Sequence, residues 1–172
     1  IHPENIEDGW EADLETIRAL AQNESKVRAI GEIGLDYYWD KENHEKQEYW
    51  FRRQIALARE EKLPMIIHSR EAAADTLRVM KEEKSEETRM KEVKSPKKPL
   101  LAEEYLKMGF YLGIGGVVTF KNAKKIKEVV QMAPMERILL ETDSPYLAPV
   151  PYRGKRNSSL YLPYVVQEIA EL

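Results

Sequence analysis

Short apolar runs alternate with longer stretches of helical period along most of this chain, and that alternation restricts its fold more than any other feature. The runs occupy residues 27–33, 65–67, 110–114 and 138–142, each too short for a helix and rich in Ile, Leu or Val. Between them, Trp10, Leu14, Ile17 and Ala21 recur at helical spacing. So do Phe51, Ile55 and Ala58, and later Ile126, Val129 and Val130. Asn43 stands where it can cap the second of these helices, and Gly109 stands where a later one must end. Residues 1–3 read as the tail of one more strand. Strands alternating with helices imply an α/β fold with a parallel sheet and helices outside it.

The rhythm fails once. Residues 81–98 form a charge run whose apolar members are Met90 and Val93, bracketed at the end by Pro96 and Pro99. The pattern predicts no strand there, and the run reads as a solvated, disordered loop anomalous for this position. Four clear strands and one half-strand are too few for a closed (β/α)₈ barrel, which takes about 250 residues and at least about 200. A TIM-type barrel lacking its first strands and one internal strand fits better than an intact open sheet. The expectation is a single barrel domain over residues 1–172. The chain opens on Ile1 and not on Met, which reads as a fragment of something longer.

Three of the apolar runs lead into a side chain that binds cations: Glu32, His68 and Asp143. A charge at the end of a buried strand is costly unless paired, and a metal ion is one such partner. Alone, Glu32 reads as an ordinary ion-pair partner, His68 as a satisfied core histidine and Asp143 as a turn residue. Together, at three successive strand ends, they are the ligand set of a divalent-metal hydrolase. His44, among Lys and Glu, reads as solvated, and His2 as bordering the site but outside its ligand set. The Trp and Tyr residues at helical spacing read as core. There is no cysteine, which excludes disulfides, thiolate zinc sites and thiol nucleophiles. With 27 Lys and Arg against 30 Asp and Glu, no global basic field attracts nucleic acid. No apolar run reaches the roughly 18–20 residues of a membrane span, and no signal peptide is visible, so a cytoplasmic protein without membrane contact is expected.

Seven stretches in fixed order resemble the TatD family of metal-dependent deoxyribonucleases. They are His2-Pro3, residues 31–38 (Gly-Glu-Ile-Gly-Leu-Asp-Tyr-Tyr), residues 54–58 with Leu63-Pro64, and residues 66–70 (Ile-Ile-His-Ser-Arg). Residues 115–122, residues 141–147 (Glu-Thr-Asp-Ser-Pro-Tyr-Leu) and residues 151–157 (Pro-Tyr-Arg-Gly-Lys-Arg-Asn) complete the set. The resemblance implies a barrel of the amidohydrolase type holding divalent ions, two in the intact enzyme. Glu32 would be the metal-bridging and catalytic carboxylate, His68 a ligand, and Asp143 a ligand that also handles the water proton. The departures are a missing His-x-His pair on the first strand and a missing ligand His where residues 81–98 stand. Ser158-Ser159 also replaces the usual Glu-Pro. By that pattern three of six ligand positions are absent, so the chain alone is expected to hold at most one ion weakly and to lack nuclease activity.

Hydrolysis of a phosphodiester needs the phosphate charge neutralised and the attacking water acidified, which clustered cations accomplish. Oxygen and imidazole donors suit Mg²⁺, Mn²⁺ or Zn²⁺ alike. Arg70, Arg153, Lys155 and Arg156 would then receive the flanking phosphates of a DNA substrate, or of RNA. The rival for the 153–156 turn is a plain basic surface. Two rival functions are a barrel hydrolase of C–N or lactone bonds and a non-catalytic nucleic-acid binder or scaffold, catalytically impaired because ligands are missing. The first commonly bridges its metals with a carbamylated lysine where this chain offers Glu32. The second is disfavoured by near-neutral charge.

Overall fold

The computed structural model describes residues 1–5, 9–83, 91–94 and 99–172, and shows two compact units, Ile1–Lys91 and Glu92–Leu172.

In the first unit a single 3₁₀ turn, Pro3–Asn5, precedes helix α1 (Trp10–Asn23), strand β1 (Ile30–Asp36) and helix α2 (His44–Glu60). Strand β2 (Met65–Arg70) and helix α3 (Ala73–Glu82) follow. β1 and β2 are parallel, with Gly34 opposite His68 and Asp36 opposite Arg70. Ile33, Leu35 and Ile67, all buried, lie on one face of the β1–β2 pair, since Ile33 stands opposite Ile67 and side chains alternate along a strand. α2 turns Phe51, Ile55 and Ala58 inward, and all three are buried. Trp10, Leu14, Trp50 and Leu57 form a second cluster, with Ile1 and Ile17 packed against it. Fully burying a side chain such as Phe51 or Ile55 contributes about 1.5–3 kcal/mol. The apolar stripe thus accounts for where α1 and α2 sit.

Several elements differ from the sequence pattern. β1 begins three residues later than the apolar run and continues to Asp36, so Glu32 lies inside the strand and not at its end. Gly34 makes the extension possible. Its φ is +142°, and a Cβ there would stand 2.0 Å from the carbonyl oxygen of His68. Residues 1–3 form no strand. Asn43 does precede α2, but its side chain bonds Asp40 and not the helix N–H groups.

In the second unit β3 (Lys91–Lys94) begins at the unit boundary, followed by α4 (Pro99–Lys107), β4 (Phe110–Ile114), α5 (Lys124–Met132), β5 (Ile138–Leu140) and α6 (Leu162–Glu171). β3 corrects the expectation that residues 81–98 hold no strand. Its Val93 is buried, and one inward apolar residue in four suffices for so short a strand. α3 likewise runs on to Glu82. The rest of the expected disordered loop, residues 84–90 and 95–98, lies outside the described residues. β4 and β5 pair in parallel with Leu112 opposite Ile138 and Ile114 opposite Leu140. Gly109, at φ +86°, ends α4 in the left-handed conformation expected of it.

Candidate metal centre

The first unit brings three ligand-capable side chains together. His2, Glu32 and His68 each offer a donor atom, and these atoms lie within 4.8 Å of one another. They come from the segment before the 3₁₀ turn, the interior of β1, and β2. The His2 and His68 rings meet edge to face with centroids 4.4 Å apart. His68 Nδ1 stands 3.6 Å from Glu32 Oε2, and its Nε2 stands 2.8 Å from Asp36 Oδ2.

Asp36 is the organising carboxylate. It is fully buried at the end of β1 and accepts from His68 and from the backbone N–H groups of Tyr38 and Trp39. With Asp36 accepting the Nε2 proton, the lone pair of His68 falls on Nδ1, the nitrogen beside Glu32. A carboxylate behind a histidine is the usual way of fixing a ligand's tautomer and ring orientation. Two buried glutamines of α2, two helical turns apart, secure the neighbouring backbone. Gln47 accepts the Asp36 N–H (2.8 Å) and donates to the Asp36 carbonyl (3.0 Å), and Gln54 donates to the carbonyl of Ile1 (3.2 Å).

Charge follows the same geometry. Burial pulls the pKa of His68 down, but the carboxylates of Glu32 and Asp36 on either side of the ring favour its charged form and outweigh burial, so the net shift is upward. His2 shifts downward, first through burial and then through repulsion by His68. Glu4 shifts upward through burial and the proximity of Asp36. Two imidazoles and a carboxylate in this spacing could hold a divalent cation, and Asp36 orients the ring of His68 so that its Nδ1 faces the group.

The sequence profile of the TatD-related DNases matches residues 1–172. The chain belongs to the TatD family. It is 50% identical over 171 residues to the "Uncharacterized metal-dependent hydrolase YabD" of Bacillus subtilis, covering 99% of this chain and 67% of the relative. It is 41% identical over 179 residues to the "Uncharacterized metal-dependent hydrolase YcfH" of Escherichia coli K12, covering 99% and 62%. The chain thus spans about two thirds of the relatives it matches. Among solved structures, the TatD homolog YJJV of Escherichia coli K12 superposes with a TM-score of 0.91 at 29% identity, covering 99% of this chain and 66% of that one. A TatD-family hydrolase from Entamoeba histolytica gives 0.73 at 25% identity, covering 90% and 52%. These are TatD-type barrel hydrolases, so the expected α/β TIM-type fold holds, with five strands among the described residues where a full barrel has eight.

Within the TatD motifs the structure places each expected residue. Glu32 and His68 come together. His2, read from sequence as a bystander, offers a third donor atom to the same group. Asp36 and Gln47 had no role in the sequence reading, although an apolar strand that ends on Asp marks a buried carboxylate in need of donors. Asp143 belongs to the second unit, in the segment after β5. Its φ is +49°, and its backbone N–H donates to the buried Glu141 carboxylate at 3.0 Å. Asn157, also buried, donates to the carbonyls of Thr142 and Tyr146 and so closes the Asp143 turn. Gly115 gives the Glu141 side chain room, since a Cβ there would stand 2.1 Å from its Oε1. Arg153, Lys155 and Arg156 ride an exposed turn of the same unit, with the Arg153 guanidinium 4.5 Å from the Phe120 ring centre. Arg70 extends from β2, with Nη1 3.9 Å from Asp36. His44 is not solvated as its charged neighbours suggested. It stacks on Tyr37 at 3.6 Å, and its Nε2 is buried.

Proposed function

We propose that His2, Glu32 and His68 hold a divalent cation in a metal-dependent hydrolase whose substrate is a DNA phosphodiester. The observation that carries this reading is the donor cluster with His68 oriented by Asp36, in a chain of the TatD-related DNase family. The bound ion would supply charge neutralisation at the phosphate and acidify a water. The chain's own residues do the rest. Asp36 keeps the Nε2 proton of His68 in place, so that Nδ1 remains a donor. Gln47 and Gln54 hold the backbones that bear Asp36 and His2. Glu32 would accept a proton or a cation where it faces His68. Arg70, Arg153, Lys155 and Arg156 are proposed phosphate contacts, Arg being able to donate in pairs to one phosphate. Asp143 is proposed, from its motif, as a further ligand and proton acceptor, in a turn that Glu141 and Asn157 hold rigid. Among the described residues no helix is long and apolar enough to cross a membrane.

The test is hydrolysis of a single-stranded oligonucleotide by the full-length protein, stripped with a chelator and then resupplied with Mg²⁺, Mn²⁺ or Zn²⁺. Turnover should vanish on stripping, return with one of the ions, and be lost in His68→Ala. Hydrolysis that survives the chelator would overturn the assignment.

A further inference from the structure

Beyond Asp36 the chain makes a turn that treats three successive aromatics differently. Tyr37 is tied down: its N–H donates to the Arg70 carbonyl, its ring stacks on His44, and its hydroxyl donates to Asp75. Tyr38 and Trp39 point outward, 52% and 63% exposed, whereas the chain's other tryptophans, Trp10 and Trp50, are buried. The outward rings meet edge to face at 4.9 Å. The Arg70 guanidinium lies 4.9 Å from the Tyr38 ring centre and 5.7 Å from that of Trp39. Their backbone N–H groups are held by Asp36, the same carboxylate that orients His68. The backbone that carries the two rings is therefore tied to the same buried side chain that orients His68.

We propose that Tyr38, Trp39 and Arg70 form a stacking subsite for an unpaired nucleobase next to the His2–Glu32–His68 centre. The ligand class rests on the phosphodiesterase reading above. An open indole face backed by a cation suits a flat, electron-deficient heterocycle, and the Arg70 edge is left to meet the adjoining phosphate. A base inside a duplex already has both faces covered by its neighbours, so only a single-stranded or frayed segment can seat here. The subsite thereby selects unpaired strand over duplex, without reading sequence.

The test uses the full-length protein and the fluorescence anisotropy of labelled oligonucleotides, a binding readout that needs no cleavage. Each terminal nucleotide is replaced in turn by an abasic one. Trp39→Ala should weaken binding of the intact single strand by about 5- to 150-fold, the range for loss of one base–aromatic stack. It should change little for the oligonucleotide whose abasic residue falls at the subsite, and Trp39→Phe should restore most of the affinity. The blunt duplex should bind more weakly than the single strand in the parent protein and equally in Trp39→Ala. An equal loss on intact and abasic strands, no loss at all, or duplex bound as well as single strand would overturn the proposal. So would Trp39 emission that depends on protein concentration alone, which would mean that the rings dock a second copy. A parent protein that binds with this base dependence but never cleaves would refute the hydrolase reading and leave the subsite standing. Cleavage unaffected by Trp39→Ala would do the reverse.

Discussion

Replacing Asp36 by Asn tests the logic of the centre with the smallest change in shape. The Asn carbonyl can still accept from the N–H groups of Tyr38 and Trp39, at 2.9 and 3.1 Å in the parent, and Gln47 still holds the backbone. The altered atom is the one 2.8 Å from His68 Nε2, where an acceptor becomes an NH₂ donor. Two donors cannot face each other, so His68 must present its lone pair at Nε2 and carry its proton on Nδ1. That proton then occupies the nitrogen 3.6 Å from Glu32, which is the one needed for the ion. Loss of such an outer partner costs about 10- to 100-fold in metal affinity, or about 1.4–2.7 kcal/mol. Without the ion, the exchange of a charge-assisted bond for a neutral one costs only about 1 kcal/mol.

The two costs separate in a thermal melt. At saturating ion the parent gains stability in proportion to RT ln(1 + [L]/Kd), and the variant gains less by the affinity it has lost. At about 2–4 °C per kcal/mol for a domain of this size, the ion-induced rise in Tm should shrink by about 3–11 °C. In chelator the two proteins should differ by only about 2–4 °C. Calorimetric titration supplies the affinity directly. An Asn variant that binds the ion as tightly as the parent would show that Asp36 does not set the tautomer of His68. Equal loss of Tm with and without ion would show that its role is packing alone.

Other outcomes follow from the same geometry. Gly34→Ala places a Cβ 2.0 Å from the His68 carbonyl at a φ of +142° and should destabilise by about 2–6 kcal/mol, read as a lower denaturant midpoint. In chelator, the raised pKa of His68 makes its contribution complete below the ordinary histidine range, and that contribution is lost as pH rises through the raised value. The stability difference between parent and His68→Asn should therefore shrink as pH rises from below the ordinary histidine range through the raised value, with a constant difference refuting the assignment. Asp143→Ala should lower kcat by about 10²- to 10⁴-fold with Tm nearly unchanged, and an unaltered rate would remove its proposed proton-accepting role.

How much of this was legible in the chain depended on how local the deciding contact is. α1, α2 and α5 were readable because an apolar stripe is a property of one segment, as Phe51, Ile55 and Ala58 show. β3 was not, because four residues with a single inward Val93 carry no period to detect among lysines and glutamates. The end of β1 was misplaced for a different reason. Apolarity falls after Ile33, but hydrogen-bonded pairing with β2 continues through Gly34 and Leu35 to Asp36, and pairing is not written in one strand alone.

The site divides along the same line. Glu32 and His68 announce themselves as polar residues beside apolar runs, a local anomaly with a known remedy. His2 carries no such mark. It sits 66 positions from His68, and nothing near it in sequence says that their rings will stand 4.4 Å apart. Gln54 is as silent, since its bond to the Ile1 carbonyl spans 53 positions. Asp36 is the instructive case, for it was visible inside a matched motif and still carried no assigned role. Only its complete burial reveals that it must be satisfied, and counting its donors leads to His68 on one oxygen and to the amides of Tyr38 and Trp39 on the other. One carboxylate thus links ligand geometry to the exposed aromatic turn. Asp36→Asn and Trp39→Ala should consequently separate: the first should impair ion binding and leave the backbone of the turn in place, and the second should impair strand binding and leave ion affinity unchanged. If Trp39→Ala lowered ion affinity as much as Asp36→Asn does, the turn would be part of the metal site itself, and the division of labour argued from these contacts would be wrong.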